Sequence, residues 1–256
     1  MMNVSVTFLG AVRTTTGSAH LVDTGKMRIL LDCGLFQGKR KEAFEKNRNF
    51  SFEPSSIDMV VLSHAHMDHA GNLPTLVKAG FRGKIMATPP TIELCDIMLR
   101  DSAHLQVKDV EHVNKRRARQ GKALFEPLYK PEDVDEVISR FVSVEYEKEI
   151  TIGEGITLCF HDAGHLLGSA TVELNLKSNG KTGRLLFTGD LGRNGTPILR
   201  NPVTVSGVDF LITEATYGNR IHPPKADAIG RLKGFIEDIV MQKSRLIIPS
   251  FSVGRT

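Results

Sequence analysis

Ser63-His64-Ala65-His66-Met67-Asp68-His69-Ala70-Gly71 puts three histidines and a carboxylate within six residues. Met59-Val60-Val61-Leu62 ahead of it reads as a buried strand, and Leu73 to Ala79 after it as a short helix closed by Gly80. The cluster thus falls on a strand-to-helix loop, where α/β folds hold their ligands. Alternate side chains of an extended segment share a face, so His64 and His66 can point at one ion with Asp68 on the same side, while His69 reaches over from the first helical turn. Four donors on so short a span exceed what one ion that keeps a water needs, which divides them between two ions. Imidazole with carboxylate suits zinc first, and manganese or iron next. The alternative is a set of loop or core histidines without an ion, and burying so many unliganded imidazoles would carry a large desolvation cost.

Other strands end in the same way. Val4 to Leu9 and Met27 to Asp32 read as strands, joined by a Gly- and Thr-rich loop, Gly10 to Ser18, long enough to approach the histidine loop from the side. Asp32, at its strand's end before Gly34, is placed to orient a metal-bound histidine from outside the coordination sphere. Further on, His165 lies between Gly164 and Gly168 just before a strand, Thr171 to Leu176. Leu185-Leu186-Phe187-Thr188-Gly189-Asp190 gives a buried strand ending in a carboxylate placed to bridge two cations, and Phe210-Leu211-Ile212-Thr213-Glu214 repeats the plan. Apolar strands ending in Asp32, His64, Asp190 and Glu214 would gather these polar groups along one edge of packed sheets. His161 has no such setting and reads as an ordinary surface or core residue.

The remaining segments read as scaffold. Thr91 to Gln120 has helical spacing and ends in Lys115-Arg116-Arg117-Ala118-Arg119, a solvated charged face in preference to a nucleic-acid contact. A helix after Pro131 carries one apolar stripe, Val134, Val137, Ile138 and Phe141. Ala226 to Val240 reads as a helix, Arg245 to Pro249 as a strand, and Ser250 to Gly254 as the loop opening a further helix.

At 256 residues and 41% hydrophobic content the chain is an ordinary globular α/β protein of one large domain with part of another. A net charge of +4 gives weak support to a polyanionic partner. Cys33, Cys95 and Cys159 lie in apolar runs without Cys-x-x-Cys pairing, which points to a reducing, cytoplasmic compartment. The amino terminus enters a strand pattern with no export signal, and no apolar run approaches the roughly 20 residues of a membrane span.

The set Asp32, His64-Ala65-His66-Met67-Asp68-His69, His165 and Asp190 resembles the metallo-β-lactamase superfamily. Thr213-Glu214-Ala215-Thr216-Tyr217-Gly218-Asn219-Arg220, with Ala163-Gly164-His165 and Pro249-Ser250-Phe251-Ser252-Val253-Gly254-Arg255, resembles its β-CASP ribonuclease branch. The resemblance implies an αββα sandwich over residues 1–215 and the beginning of an inserted, incomplete β-CASP α/β domain over 216–256. It implies that His64, His66 and His165 hold one zinc, that Asp68 and His69 hold a second, and that Asp190 bridges them. Asp32 would orient a ligand, and Glu214 would polarise a histidine supplied later. Asp32, Asp68 and Glu214 would thus form the catalytic set. The branch's two later histidine motifs are not found before Thr256, so the chain is expected to be the front portion of a longer protein.

The implied activity is zinc-dependent cleavage of RNA phosphodiesters, a metal-activated water attacking phosphorus, in RNA processing or decay. RNA is the expected partner; a membrane is not, and a homodimer is compatible. The alternatives are a hydrolase of small thioesters or lactams, against which Glu214 stands, and an inactive metal-binding scaffold. If the second ion is completed within these residues, His20, His161 and His222 are the remaining candidates.

Overall fold

The structure, a computed structural model, describes residues 4–178, 180–221, 224–250 and 253–254. In chain order its first elements are β1 (Ser5–Phe8), β2 (His20–Asp23), β3 (Arg28–Leu31), α1 (Arg40–Arg48) and β4 (Met59–Val61). Next come α2 (Met67–Ala70), α3 (Leu73–Lys78), β5 (Lys84–Ala87), α4 (Pro89–Arg119), α5 (Pro131–Ile138) and β6 (Phe141–Ser143). The remainder are β7 (Ile150–Gly153), β8 (Ile156–Asp162), β9 (Ala170–Ser178), β10 (Lys181–Phe187), β11 (Phe210–Ile212) and α6 (Lys225–Gln242).

Two sheets form, ordered β1-β2-β3-β4-β5-β6 and β11-β10-β9-β8-β7. In the first, β3 to β6 run parallel and β1 to β3 antiparallel; in the second, only the β10–β11 pair is parallel. Strands β3 to β5 are apolar at nearly every position because both faces of the first sheet are covered. Leu30, Val60 and Ile85 pack under Leu73 and Leu76 of α3, Cys95 and Leu99 of α4, and Val134 and Val137 of α5. Their neighbours Ile29, Leu31, Met59, Val61 and Met86 point the other way, against Leu158, Phe160, Val172, Leu174, Leu185 and Phe187 of the second sheet. This helix–sheet–sheet stack brings the ends of β3, β4 and β10 together.

The described residues divide into two compact units, Met1–Glu214 and Ala215–Thr256. In the second, the turn at Ala215–Gly218 closes with a Gly218 N–H to Ala215 carbonyl bond, and α6 carries its apolar stripe exposed at Ile229, Leu232 and Ile236. No helix among the described residues is long and apolar enough to cross a membrane.

Three readings from sequence need correction. Phe141 is not on the helix after Pro131: α5 ends at Ile138 and Phe141 opens β6, from which it packs against the same core as Val134 and Val137. His69 does not come from the start of the Leu73 helix: Met67–Ala70 forms its own turn, and Pro74 in the first turn of α3 begins a fresh helix. Arg245 to Pro249 is not a strand. A strand exists only beside a partner, and Ile247 and Ile248 are 86% and 66% exposed, with no paired neighbour among the described residues. Phe251, Ser252 and Arg255 of the carboxy-terminal motif, and His222, lie outside the described residues.

Phe160 is fully buried at the centre of the sheet-to-sheet core. Phe160→Ala is expected to lower unfolding stability by about 3–5 kcal/mol, read as a fall in the urea midpoint at unchanged slope.

Candidate metal centre

Asp32 organises the site from behind. It follows β3 with φ of 59°, a left-handed conformation that aspartate tolerates better than most residues, and its side chain is fully buried. Its Oδ1 accepts from the Ser63 N–H at 2.8 Å; Oδ2 accepts from the hydroxyls of Ser63 at 2.9 Å and Ser18 at 3.1 Å and from His69 Nδ1 at 2.7 Å. The Gly10 to Ser18 loop thus reaches the site as its length suggested, and the Ser18 N–H also donates to the Asp68 carbonyl at 2.8 Å. Ser18 and Ser63 were not singled out from the sequence.

These bonds fix tautomers. The Ser63 hydroxyl is committed to Asp32, so at its 3.0 Å contact with His64 Nδ1 it accepts, and the His64 Nε2 lone pair faces inward. His69 likewise gives its Nδ1 hydrogen to Asp32 and turns Nε2 toward Asp190 Oδ1, 3.3 Å away, and Asp68 Oδ2, 3.9 Å away.

His66 caps the start of α2, and its Nδ1 lies 3.0 Å from His64 Nε2 and 3.1 Å from His165 Nε2. Asp190 Oδ2 is 3.5 Å from His165 Nε2 and 3.9 Å from His64 Nε2. His64, His66, His165 and Asp190 together form one group able to hold an ion. Tetrahedral donors about 2.0–2.1 Å from zinc stand about 3.3 Å apart, so these separations fit a shared cation. One proton on His66 Nδ1 could satisfy only one of its two ring neighbours. The donor set fits a divalent ion on chemistry as well as on spacing.

Two loops are held against this cluster by close backbone approach. A Cβ on Gly34 would stand 1.6 Å from the Asp68 carbonyl oxygen, and one on Gly192 would stand 1.6 Å from that of Gly164. The Ser169 hydroxyl accepts from the N–H groups of His165 and Leu166 at 3.0 and 3.1 Å, while Thr88 and Thr91 donate to the Gly168 carbonyl. Glu214 follows β11, the parallel neighbour of β10, and accepts from the Leu191 N–H at 2.9 Å in the loop that carries Asp190. His20 is not in the cluster: its ring stands edge-on between Phe8 and Phe187. His161 belongs to another group, with Glu147 and Cys159.

Residues 21–182 match the metallo-beta-lactamase superfamily domain. The chain belongs to that superfamily. Among its relatives, Ribonuclease TTHA0252 of Thermus thermophilus is 38% identical over 246 residues, covering 96% of this chain and 51% of that protein. Transcription termination factor FttA of Thermococcus kodakarensis is 31% identical over 263 residues, covering 98% of this chain and 38% of that protein. The chain therefore spans about half or less of the length of these relatives. The crystal structure of BJP-1, a subclass B3 metallo-beta-lactamase of Bradyrhizobium japonicum, has a TM-score of 0.48 and 14% identity over 95% of this chain and 94% of that one.

A metallo-beta-lactamase superfamily member with this clustered His and Asp set is a divalent-metal-binding protein, and burial dominates the electrostatics of the cluster. Burial, then the neighbouring His69, His66 and His165, hold His64 well below the usual imidazole range. Burial holds His165 low as well, partly offset by Asp190, and pushes Asp68 up. Burial also works against charge on Asp190, but the hydrogen bond and charge of His69 outweigh it and keep that carboxyl low. His69 is the exception among the histidines: burial would lower it, yet Asp32 and Asp190 together push it up to about 10.

In the metal-free protein His69 therefore contributes stability that is complete below its unfolded value of 6.5 and is lost as pH rises through about 10. His64 and His165 act in the opposite sense, because the unfolded chain takes up protons below 6.5 that the folded site refuses. The urea midpoint of the chelated protein is expected to peak just above pH 6.5 and to fall on both sides. A midpoint flat between about pH 7 and 10 would show that His69 is not held as an imidazolium.

Proposed function

We propose that the chain is the metal-binding portion of a zinc-dependent phosphodiesterase that cleaves RNA, of the β-CASP branch, acting in the reducing environment of the cytoplasm. The observation that carries this reading is the aim of Asp190: one carboxylate oxygen turns to His64 and His165, the other to His69. A carboxylate so placed can be shared by two cations, an arrangement suited to in-line displacement at phosphorus. The relatives bearing the names ribonuclease and transcription termination factor support an RNA substrate. The free thiols of Cys33, Cys95 and Cys159 agree with the compartment.

In this reading His64, His66, His165 and Asp190 hold the first zinc, and Asp68, His69 and the shared Asp190 hold the second. Zinc supplies Lewis acidity, lowering the pKa of a bound water to about 7 and offsetting charge on phosphoryl oxygens. The protein's own groups supply the rest. Asp32 keeps His69 in the tautomer that presents Nε2, and Ser63 does the same for His64. Glu214 fixes the backbone immediately after Asp190 and so sets the angle of the bridging carboxylate. Residues 215–256 would open the β-CASP domain, and the leaving oxygen takes its proton from water or from a group supplied there.

Asp190→Asn keeps the shape but removes the shared charge; metal content should fall and RNA cleavage drop by at least about 100-fold, while the circular dichroism spectrum is retained. The comparison that decides substrate class is hydrolysis of a labelled RNA against that of a thioester, using protein expressed from its complete reading frame. RNA should be cut and the thioester left; thioester turnover without RNA cleavage overturns the proposal. The basic run is assigned a minor part, since the Arg117 guanidinium already stacks at 4.0 Å on the Phe125 ring and donates to the Ala123 carbonyl. Neutralising Lys115, Arg116 and Arg119 together should weaken RNA binding less than about tenfold and leave the salt dependence nearly unchanged.

A further inference from the structure

The second sheet's inner face is the apolar core, whereas its outer face carries a connected polar cluster that the chemistry above does not use. Cys159 and His161 alternate along β8 with the core residues Leu158 and Phe160, so both point outward. Glu173 stands directly across from Cys159 in the antiparallel β8–β9 ladder. Its Oε2 accepts from His161 Nε2 at 2.9 Å, and its Oε1 is held by the Arg184 guanidinium at 2.9 and 3.1 Å. The other imidazole nitrogen, Nδ1, faces the Glu147 carboxylate at 2.9 and 3.0 Å. Glu147 is brought there by a left-handed backbone, φ 56°, pinned by its N–H to the Phe160 carbonyl at 2.9 Å. Donor atoms of Glu147, Cys159 and His161 all lie within 4.8 Å of one another.

We propose that Cys159, His161 and Glu147 form a separate metal site on this outer face, one that takes a thiophilic divalent ion of the zinc type. Thiolate, imidazole and carboxylate are a donor set for zinc, cobalt or cadmium and a poor one for magnesium or calcium. Glu173 completes the pattern from outside the coordination sphere, because a carboxylate on one ring N–H orients the other nitrogen toward the metal. Burial works against charge on Glu173, but the hydrogen bonds of His161 and then of Arg184 outweigh it and keep that carboxyl low. Glu147 has a side chain 57% exposed, so an ion can enter from solvent past it and keep a water in the open position.

Both ring nitrogens of His161 face carboxylates. The Cys159 thiol is pushed up to about 11 by burial and then by Glu147 and Glu173, and its sulfur makes a long 3.9 Å approach to the Phe160 carbonyl. Binding replaces the thiol proton of Cys159 by the ion.

The test uses cobalt(II), because a thiolate ligand gives a charge-transfer absorption that imidazole and carboxylate do not. The candidate centre at His64 contains no sulfur donor, and Cys33 and Cys95 are sealed in the helix-covered core. Titration of the purified protein should produce the thiolate band. Cys159→Ser should abolish that band while keeping the visible absorption of cobalt at the histidine centre, and Asp190→Asn should keep the band. On the unmodified protein, zinc should slow alkylation of Cys159 by at least about tenfold, a readout that needs no variant. Absence of a thiolate band at saturating cobalt, a band that survives Cys159→Ser, or alkylation indifferent to zinc each overturns the proposal. None of these readouts depends on RNA cleavage.

Discussion

A fully buried carboxylate is a severe constraint, and Asp32 meets it by drawing in hydrogen-bond donors from Ser18, Ser63 and His69. Leaving such a group unpaired would cost several kcal/mol. The end of β3 must therefore lie beside Ser63 at the end of β4, beside Ser18 in the first loop, and beside His69 in α2. Gly34 and Gly189 are where the main chain comes too close for a side chain: a Cβ on Gly189 would stand 2.7 Å from that of Ser63. The αL conformation at Asp32 is the local cost of turning its carboxylate back into the protein.

The orientation of the rings follows from that anchoring. Imidazoles packed with nitrogens about 3 Å apart repel when more than one is protonated, and burial forbids most of them from being charged. Neutral rings with their lone pairs converging are then poor partners for one another and good ones for a cation. The one proton that the site holds firmly, on His69, sits between Asp32 and Asp190. Were His69 Nε2 to hold a metal, Asp32 would still retain the hydrogen on Nδ1 and the ring would keep its aim. The centre is organised before any ion arrives, because its orientation is enforced by groups outside it.

Local spacing carried much of this information. His64, His66, Asp68 and His69 advertise themselves by density, and Asp32, His165, Asp190 and Glu214 by standing at strand ends next to glycine. The structure brings His64, His66, His165 and Asp190 into one group, turns His69 Nε2 toward the other oxygen of Asp190 and toward Asp68, and puts Asp32 behind His69. What spacing could not reveal was anything whose meaning lies across the sheet. Ser18 is an ordinary loop serine until the first loop folds over Asp32. His161 looked ordinary because its partners come from β9 and from the segment before β7, 12 and 14 residues away. Arg245 to Pro249 failed in the opposite direction: its apolar, β-branched composition suits a strand, but strand formation is settled by a neighbour that composition cannot supply.

The same device occurs twice in the molecule, once behind the first sheet's edge and once on the second sheet's outer face. In each case a carboxylate held by other donors takes one ring hydrogen and turns the remaining nitrogen toward a cluster: Asp32 with His69, Glu173 with His161. The difference lies in what surrounds the free nitrogen. Around His69 it is oxygen and further imidazole, a set that accepts zinc, manganese or iron with modest discrimination; around His161 it is a thiol and an exposed carboxylate. Discrimination between ions should therefore differ between the two places even though the orienting chemistry is shared. Manganese, which has little affinity for thiolate, would fill the histidine centre and leave Cys159 protonated, whereas zinc would compete for both. The donor atom contributed by one cysteine, set opposite Glu173 by the register of β8 and β9, is what would make the outer face selective.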